Sequence, residues 1–415
     1  MSRAYSGGIL TANPPATTGP SGDYDDGGSA SGVWTMADAS RLKGSSLWPS
    51  RLKDKALYAW GWANNGGLGD GLGSSGNRRS SPIQIGSDLD WIKVTCGQDT
   101  TGAIKSNGTL YMWGDGQYGG LGNNTYTNKS SPVQIGSGTN WAEIAPGRST
   151  TAVKTDGTAW VWGRNFAGQL GLGAPYSNKS SPVQLGLLTN WSIPTGSGVN
   201  DGNCGALKTD GTFWLWGYNY FGTLGRNDTT AAVSPVQVAG SWTAVGTCNG
   251  TSGGIKSDGT LWLWGNDAFG LLGNSTLSIT RSSPVQLGTD TWSKFDVGNS
   301  NCLGIKTNGT LWIWGQGTSG EIGDNTAFSK SSPVQVGALT TWKHATAQNS
   351  NCIAIKTDGT IWSWGRGDIG ATGLNRNTPN SSPIQIGSNT NWFYVNGQGS
   401  TTSGSQFHSF AIAAT

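Results

Sequence analysis

Two residues ahead of each of six Asn-Gly or Asp-Gly pairs stands a lysine: Lys105, Lys154, Lys208, Lys256, Lys306 and Lys356. A ring of ammonium groups could attract an anion, but a long cationic side chain beside an exposed turn is ordinarily hydrated, so the sequence predicts six solvated lysines. The five cysteines include no Cys-x-x-Cys pair, which fits neither a disulfide framework nor a zinc site. Cys204, Cys302 and Cys352 recur at one repeat position; equivalent positions in separate repeats do not meet, and these read as small buried apolar groups. His344 and His408 have no cysteine or acid at a metal-ligand spacing and read as structural. Cleavage of a polysaccharide needs two converging carboxyl groups; Asp201 and Asp228 are the visible acids, and their contexts do not bring them together. The glycine-rich loops lead into no helix of the kind that cradles phosphate. No catalytic residue, cofactor site or metal site is assigned, and the chain is not expected to be an enzyme.

These residues sit on a period of about fifty. Ser-Pro-(Val/Ile)-Gln recurs with its proline at Pro82, Pro132, Pro182, Pro235, Pro284, Pro333 and Pro383, and Trp-Gly recurs in register at Trp60, Trp113, Trp162, Trp216, Trp264, Trp314 and Trp364. Seven copies of one unit follow. Each reads as four short strands: Pro-Val-Gln-Ile, a segment opening on a tryptophan such as Trp141, Ala-Ile-Lys, and Leu-Trp-Ile-Trp-Gly. Between the last two lies Asn107-Gly108, Asp156-Gly157 or an equivalent pair, which takes the positive φ of a tight hairpin. No helical period appears inside the repeats. The fold class is therefore all-β, a seven-bladed β-propeller over residues 51–415. Trp312 and Trp314 share one sheet face and are placed to pack against a neighbouring blade. The first unit begins at its fourth strand, Ala56 to Gly61, and the last stops after its third, Phe410 to Ala413, so a split blade closes the ring.

Composition narrows the function. The chain has 415 residues, 12% of them charged, with 26 basic and 23 acidic residues netting +3. That balance points to no nucleic acid partner, and no apolar run approaches a membrane span, so no membrane insertion is expected. Met1 to Gly8 lacks an apolar core followed by a cleavage site, and conventional secretion is not expected.

The segments His408-Ser409-Phe410-Ala411-Ile412, Asp358-Gly359-Thr360-Ile361-Trp362-Ser363-Trp364-Gly365 and Arg164-Asn165-Phe166-Ala167-Gly168-Gln169-Leu170-Gly171 resemble the regulator of chromosome condensation repeat. The resemblance covers residues 51–415 and implies a seven-bladed propeller with the same split closure. The founding member of that family is a nucleotide-exchange factor for a small GTPase that contacts chromatin; relatives include trafficking proteins and secreted inhibitors of β-lactamases. The family's repeated histidine is present only as His408, with Thr100, Asn301 and Asn351 at equivalent places, and no insertion long enough to displace a nucleotide protrudes. Exchange activity is not carried over.

Residues 1–50 hold no repeat. Thr11 to Gly32 is rich in Pro, Gly, Ser and Thr, a composition that does not fold alone. A short helix is expected from Thr35 or Met36. Ser31-Gly32-Val33-Trp34 with the following polar stretch and Trp48-Pro49 resembles a segment of structural and tail proteins of marine bacteriophages. On that reading Val33, Trp34, Met36, Leu42, Leu47 and Trp48 attach the arm to other virion proteins, and the protein is expected in the virion. Loops between the second and third strands vary among units, and Asn200, Asp201, Asn203, Asn249, Gln398 and Thr401 are the candidate contacts for a host-surface protein or glycan. The expected function is a non-enzymatic virion structural or interaction protein, used for particle decoration or host binding. A soluble protein-binding regulator or inhibitor is the alternative.

Overall fold

The hairpins are built by local hydrogen bonding. Asp156 Oδ1 accepts from the Thr158 N–H at 3.0 Å and from its hydroxyl at 2.6 Å, and that hydroxyl accepts from Trp160 Nε1 at 2.9 Å. Gly157 between them has φ +77, and an added Cβ would lie 1.9 Å from the Thr189 carbonyl, so only glycine fits. The Asx-turn repeats at Asp210, Asp258, Asn308 and Asp358, with Trp214, Trp262, Trp312 and Trp362 donating to the threonine.

A computed structural model describes residues 54–62, 64–73, 78–97, 99–196, 202–248, 250–276, 278–348, 350–368, 370–400 and 406–415. Strands dominate, and Ala56–Ala413 forms one compact unit. One blade runs Trp91–Cys96, Thr100–Lys105, Leu110–Gly114 and Lys129–Gln134, all antiparallel neighbours. The outer strand of this blade is Ser-Pro-Val-Gln of the following sequence unit, since Tyr111 pairs with Gln134 and Met112 with Val133. A blade therefore starts at its tryptophan, one strand out of phase with the unit read from Ser-Pro.

Seven blades are present. Two share the 17-residue strand Arg281–Val297, whose first half is the outer strand of one blade and whose second half is the inner strand of the next. Another blade joins the chain ends: Arg78–Gln84, Lys55–Trp62, Gln406–Ala414 and Trp392–Ser400 lie side by side in that order. The split closure holds, with two strands from each end. Tryptophan-led inner strands contact one another around a full circle, and Trp392–Ser400 meets Trp91–Cys96 to complete it.

The apolar core lies between blades. Ile104, Leu110 and Met112 of one blade pack with Trp141, Ile144 and Trp162 of the next. Each fully buried Trp-Gly indole also donates back to a carbonyl of the preceding blade's connector. Trp113 bonds Gly67 at 3.0 Å, Trp162 bonds Gly120 at 2.9 Å, Trp216 bonds Gln169 at 2.9 Å and Trp264 bonds Thr223 at 2.8 Å. Trp314 bonds Leu271 at 2.8 Å, Trp364 bonds Glu321 at 2.9 Å, and Trp60 closes the circle on Ala371 at 3.2 Å. A net contribution of about 0.5–1.5 kcal/mol per bond adds to roughly 25 cal/mol for each Å² of indole buried, so every blade boundary is stapled in the same way.

Candidate functional site

The conserved strand pattern places the six lysines where the sequence did not. Each lysine ends the second strand of its blade, and its side chain runs back between an aromatic ring of the inner strand and one of the third strand. Lys154 Nζ lies 4.9 Å from the Trp141 ring centroid and 4.0 Å from that of Trp160, and Lys208 Nζ lies 4.7 and 4.1 Å from Trp191 and Trp214. Lys306 and Lys356 approach Trp312 and Trp362 to 3.6 and 3.5 Å. The expectation of solvated lysines is corrected: Lys105, Lys208 and Lys356 are 7–8% exposed. Aromatic faces are negative at their centres and hold a cation that water would otherwise hold. Burial lowers the Lys208 and Lys356 pKa values. At Lys105 burial acts in the same direction, but carboxylates of Asp88 at 2.8 Å and Asp90 at 3.1 Å reverse it and raise the value.

Beside two of these clamps the surface opens between blades. A groove of about 600 Å³ at Lys154 is lined by Asn123, Asn124, Lys129, Gln134, Trp141 and Ser181, among others. Its equivalent one blade on, about 420 Å³ at Lys208, is walled by Leu172, Leu185, Leu188, Trp191, Trp214 and Pro235. Both lie against the Asx-turn hairpins, where the backbone N–H groups of Trp141 and Trp191 donate to the carbonyls of Gly108 and Gly157.

Along the axis, neighbouring inner strands are tied by polar side chains. Thr95 donates to the Ile144 carbonyl at 3.0 Å, Thr195 and Thr247 share a hydrogen bond of 2.8 Å, and Lys93 pairs with Glu143. Asp296 accepts from Thr346 at 2.8 Å and from the Ala347 N–H at 2.9 Å; burial raises its pKa against these bonds. His344 packs on the Tyr394 ring at 5.2 Å, and burial, then Lys294 and Lys343, push it down to about 3. His408 is fully buried beside Phe410, and burial pushes it down to about 4. Cys204, Cys302 and Cys352 are buried as expected, and Cys96 and Cys248 are buried as well. Among the described residues no group of three His, Cys, Asp or Glu side chains converges. Asp228 is engaged by Arg226 and Asn219, each at 2.9 Å.

Of the candidate binding loops, Asn203 starts the buried strand Asn203–Lys208 and is 1% exposed, with Nδ2 donating to Ser252 at 3.3 Å. It faces the neighbouring blade because the strand begins at Asn203 itself, the residue on which the loop reading ended. Gln398 lies on the strand Trp392–Ser400, paired with His408. Asn200, Asp201, Asn249 and Thr401, and the arm residues Val33, Trp34, Met36, Leu42, Leu47 and Trp48, lie outside the described residues. Sequence reasoning missed the aromatic clamps; their signal was the joint recurrence of inner-strand tryptophan, lysine and third-strand tryptophan, as in Trp141, Lys154 and Trp160.

The regulator of chromosome condensation (RCC1) repeat matches at residues 54–104, 107–153 and 156–195. The ultraviolet-B receptor UVR8 of Arabidopsis thaliana is 28% identical over 202 residues, which is 47% of this chain and 44% of that protein. Human X-linked retinitis pigmentosa GTPase regulator is 26% identical over 150 residues, 35% of this chain and 15% of that protein. The chain thus spans less than half the length of these relatives. Human WBSCR16 superposes with a TM-score of 0.75 at 17% identity, covering 87% of this chain and 99% of that one. Prp20p of Saccharomyces cerevisiae also gives 0.75, at 18% identity, covering 88% and 92%. Residues 54–195 therefore match regulator of chromosome condensation repeats, and the propeller has the same fold as those structures.

Proposed function

We propose that this protein is a non-enzymatic interaction component of a virion, joined to the particle through residues 1–50 and using its propeller for decoration or host-surface binding. The observation that carries the binding role is the closed circle of indole staples. It fixes seven nearly identical blades into a rigid ring, while the connections between inner and second strands vary among units and are the natural place for a partner to be read. The arm's resemblance to phage tail and structural proteins supports the particle. Deleting residues 1–50 is expected to leave the propeller's far-UV spectrum intact while removing the protein from purified particles; retained incorporation overturns the attachment role.

A soluble regulator or inhibitor is the second reading, favoured by the repeat shared with a protein named as a GTPase regulator. Affinity capture that yields one stoichiometric host protein, with no particle association, would establish it instead.

A further inference from the structure

In two blades the protein supplies its own occupant for the clamped ammonium. Lys105 receives Asp88 and Asp90, and Lys306 receives Asp290 at 2.8 Å, all from the residues just ahead of the inner-strand tryptophan. In the Lys154 blade that loop reads Ser137-Gly138-Thr139-Asn140 and has no acid. No ion pair of Lys154 occurs among the described residues, and Asp156 is taken up by Thr158. Two π faces satisfy the charge of an ammonium but accept no conventional hydrogen bond from its three donors. Here, where the internal carboxylate is missing, the blade boundary opens into the groove of about 600 Å³.

The lining states what else the occupant carries. Lys129 adds a second ammonium, and Trp141, whose buried Nε1–H has no acceptor, lines the groove as well. Asn123 and Asn124 use their carbonyl oxygens on Thr125 and Ser180, which leaves their N–H groups for a ligand. Ser181 contributes a hydroxyl, while Val133, Ile135 and Pro182 supply an apolar wall. One carboxylate, several hydroxyls and an apolar ring edge are the features of a uronic acid. A peptide strand would instead pair along the free edge of Lys129–Gln134, where Pro132 offers no N–H. We infer that the Lys154 groove binds a uronate residue of an acidic glycan, its carboxylate on the Lys154 ammonium in the place that Asp88 and Asp90 take at Lys105. This site is on the hairpin side of the ring and does not depend on the loops or arm of the proposed function. The Lys208 groove has the cation but leucines in place of the amides, and is not assigned this ligand.

The full chain is titrated by calorimetry with tri-galacturonate, with neutral maltotriose and with triglutamate. The expected result is one-to-one binding of tri-galacturonate at least tenfold tighter than either control. Asn140→Asp, which supplies an internal carboxylate as Asp90 does, is expected to weaken that binding at least tenfold, as is Lys154→Gln. If Asn140→Asp misfolds by circular dichroism, Lys154→Gln decides alone. Equal binding of maltotriose, tighter binding of triglutamate, no binding of tri-galacturonate, or a folded variant that binds like the parent would overturn the proposal. None of these outcomes bears on incorporation into particles, which tests the arm.

Discussion

Trp242 and Trp264 belong to one blade, are 1% and 0% exposed, and touch with ring centroids 5.7 Å apart, yet their indole N–H groups are treated oppositely. Trp264 donates to the Thr223 carbonyl at 2.8 Å; Trp242 has no acceptor among the described residues. Replacement of either by phenylalanine removes similar apolar surface and leaves a similar void, roughly 2 kcal/mol. Trp264→Phe also loses a hydrogen bond. Thr223 keeps the Ser252 hydroxyl at 2.9 Å, so its carbonyl is not orphaned and the added cost is about 1 kcal/mol. Trp242→Phe instead removes a buried unsatisfied donor, which returns about 1–3 kcal/mol. The expected loss is therefore about 3 kcal/mol for Trp264→Phe and within about 1 kcal/mol of the parent for Trp242→Phe. Lys256 keeps its nearer ring, Trp262 at 3.4 Å, in both variants. Urea unfolding followed by far-UV circular dichroism, with a common slope, gives the difference as a shift in midpoint. If Trp242→Phe is as destabilising as Trp264→Phe, the distinction between stapling and merely filling indoles fails.

Two buried groups give pH dependences of opposite sign. Burial, then Asp115, against the opposing Arg148, pushes the Asp99 carboxyl up to about 6, and its Oδ1 has no partner. The folded state therefore holds that proton more tightly than the unfolded state. Its contribution is fully present below the unfolded value near 3.9 and is lost as pH rises through about 6. Asp99→Asn is expected to raise stability at pH 8 by about 3 kcal/mol and to change little at pH 4; thermal melts across that range check it, and a pH-independent difference contradicts it. His408 runs the other way: its folded value of about 4 lies below the unfolded 6.5, so its stabilising contribution is present above pH 6.5 and is lost as pH falls toward 4. His408→Asn, the residue type at the equivalent Asn301 and Asn351, is expected to remove about 3 kcal/mol of acid sensitivity over that interval, measured by the same melts; an unchanged acid limb refutes the assignment.

The blade count and hairpins were legible because both rest on local chemistry. Asp156-Gly157-Thr158 specifies its turn within three residues, and the alternation in Leu311-Trp312-Ile313-Trp314 puts the half-buried Trp312 and the fully buried Trp314 on one sheet face by strand geometry alone. Phase was not legible. Whether Lys129–Gln134 begins one blade or ends another depends on its pairing with Leu110–Gly114 across a long connector, and a linear repeat has no marked origin. The same limit hid the lysines. A side chain two residues before a turn reads as hydrated when only its neighbours along the chain are considered, but the rings that enclose Lys154 come from strands on either side of its own. Once that enclosure is known, differences among repeats acquire chemical meaning. Asp88, Asp90 and Asp290 stop being scattered loop acids and become internal counter-ions, and Asn140 marks a place where a counter-ion has been left out. A repeat protein keeps its scaffold by holding Trp-Gly and Asp-Gly-Thr constant. It gains a site where a blade omits the counter-ion that the Lys105 and Lys306 blades provide for themselves.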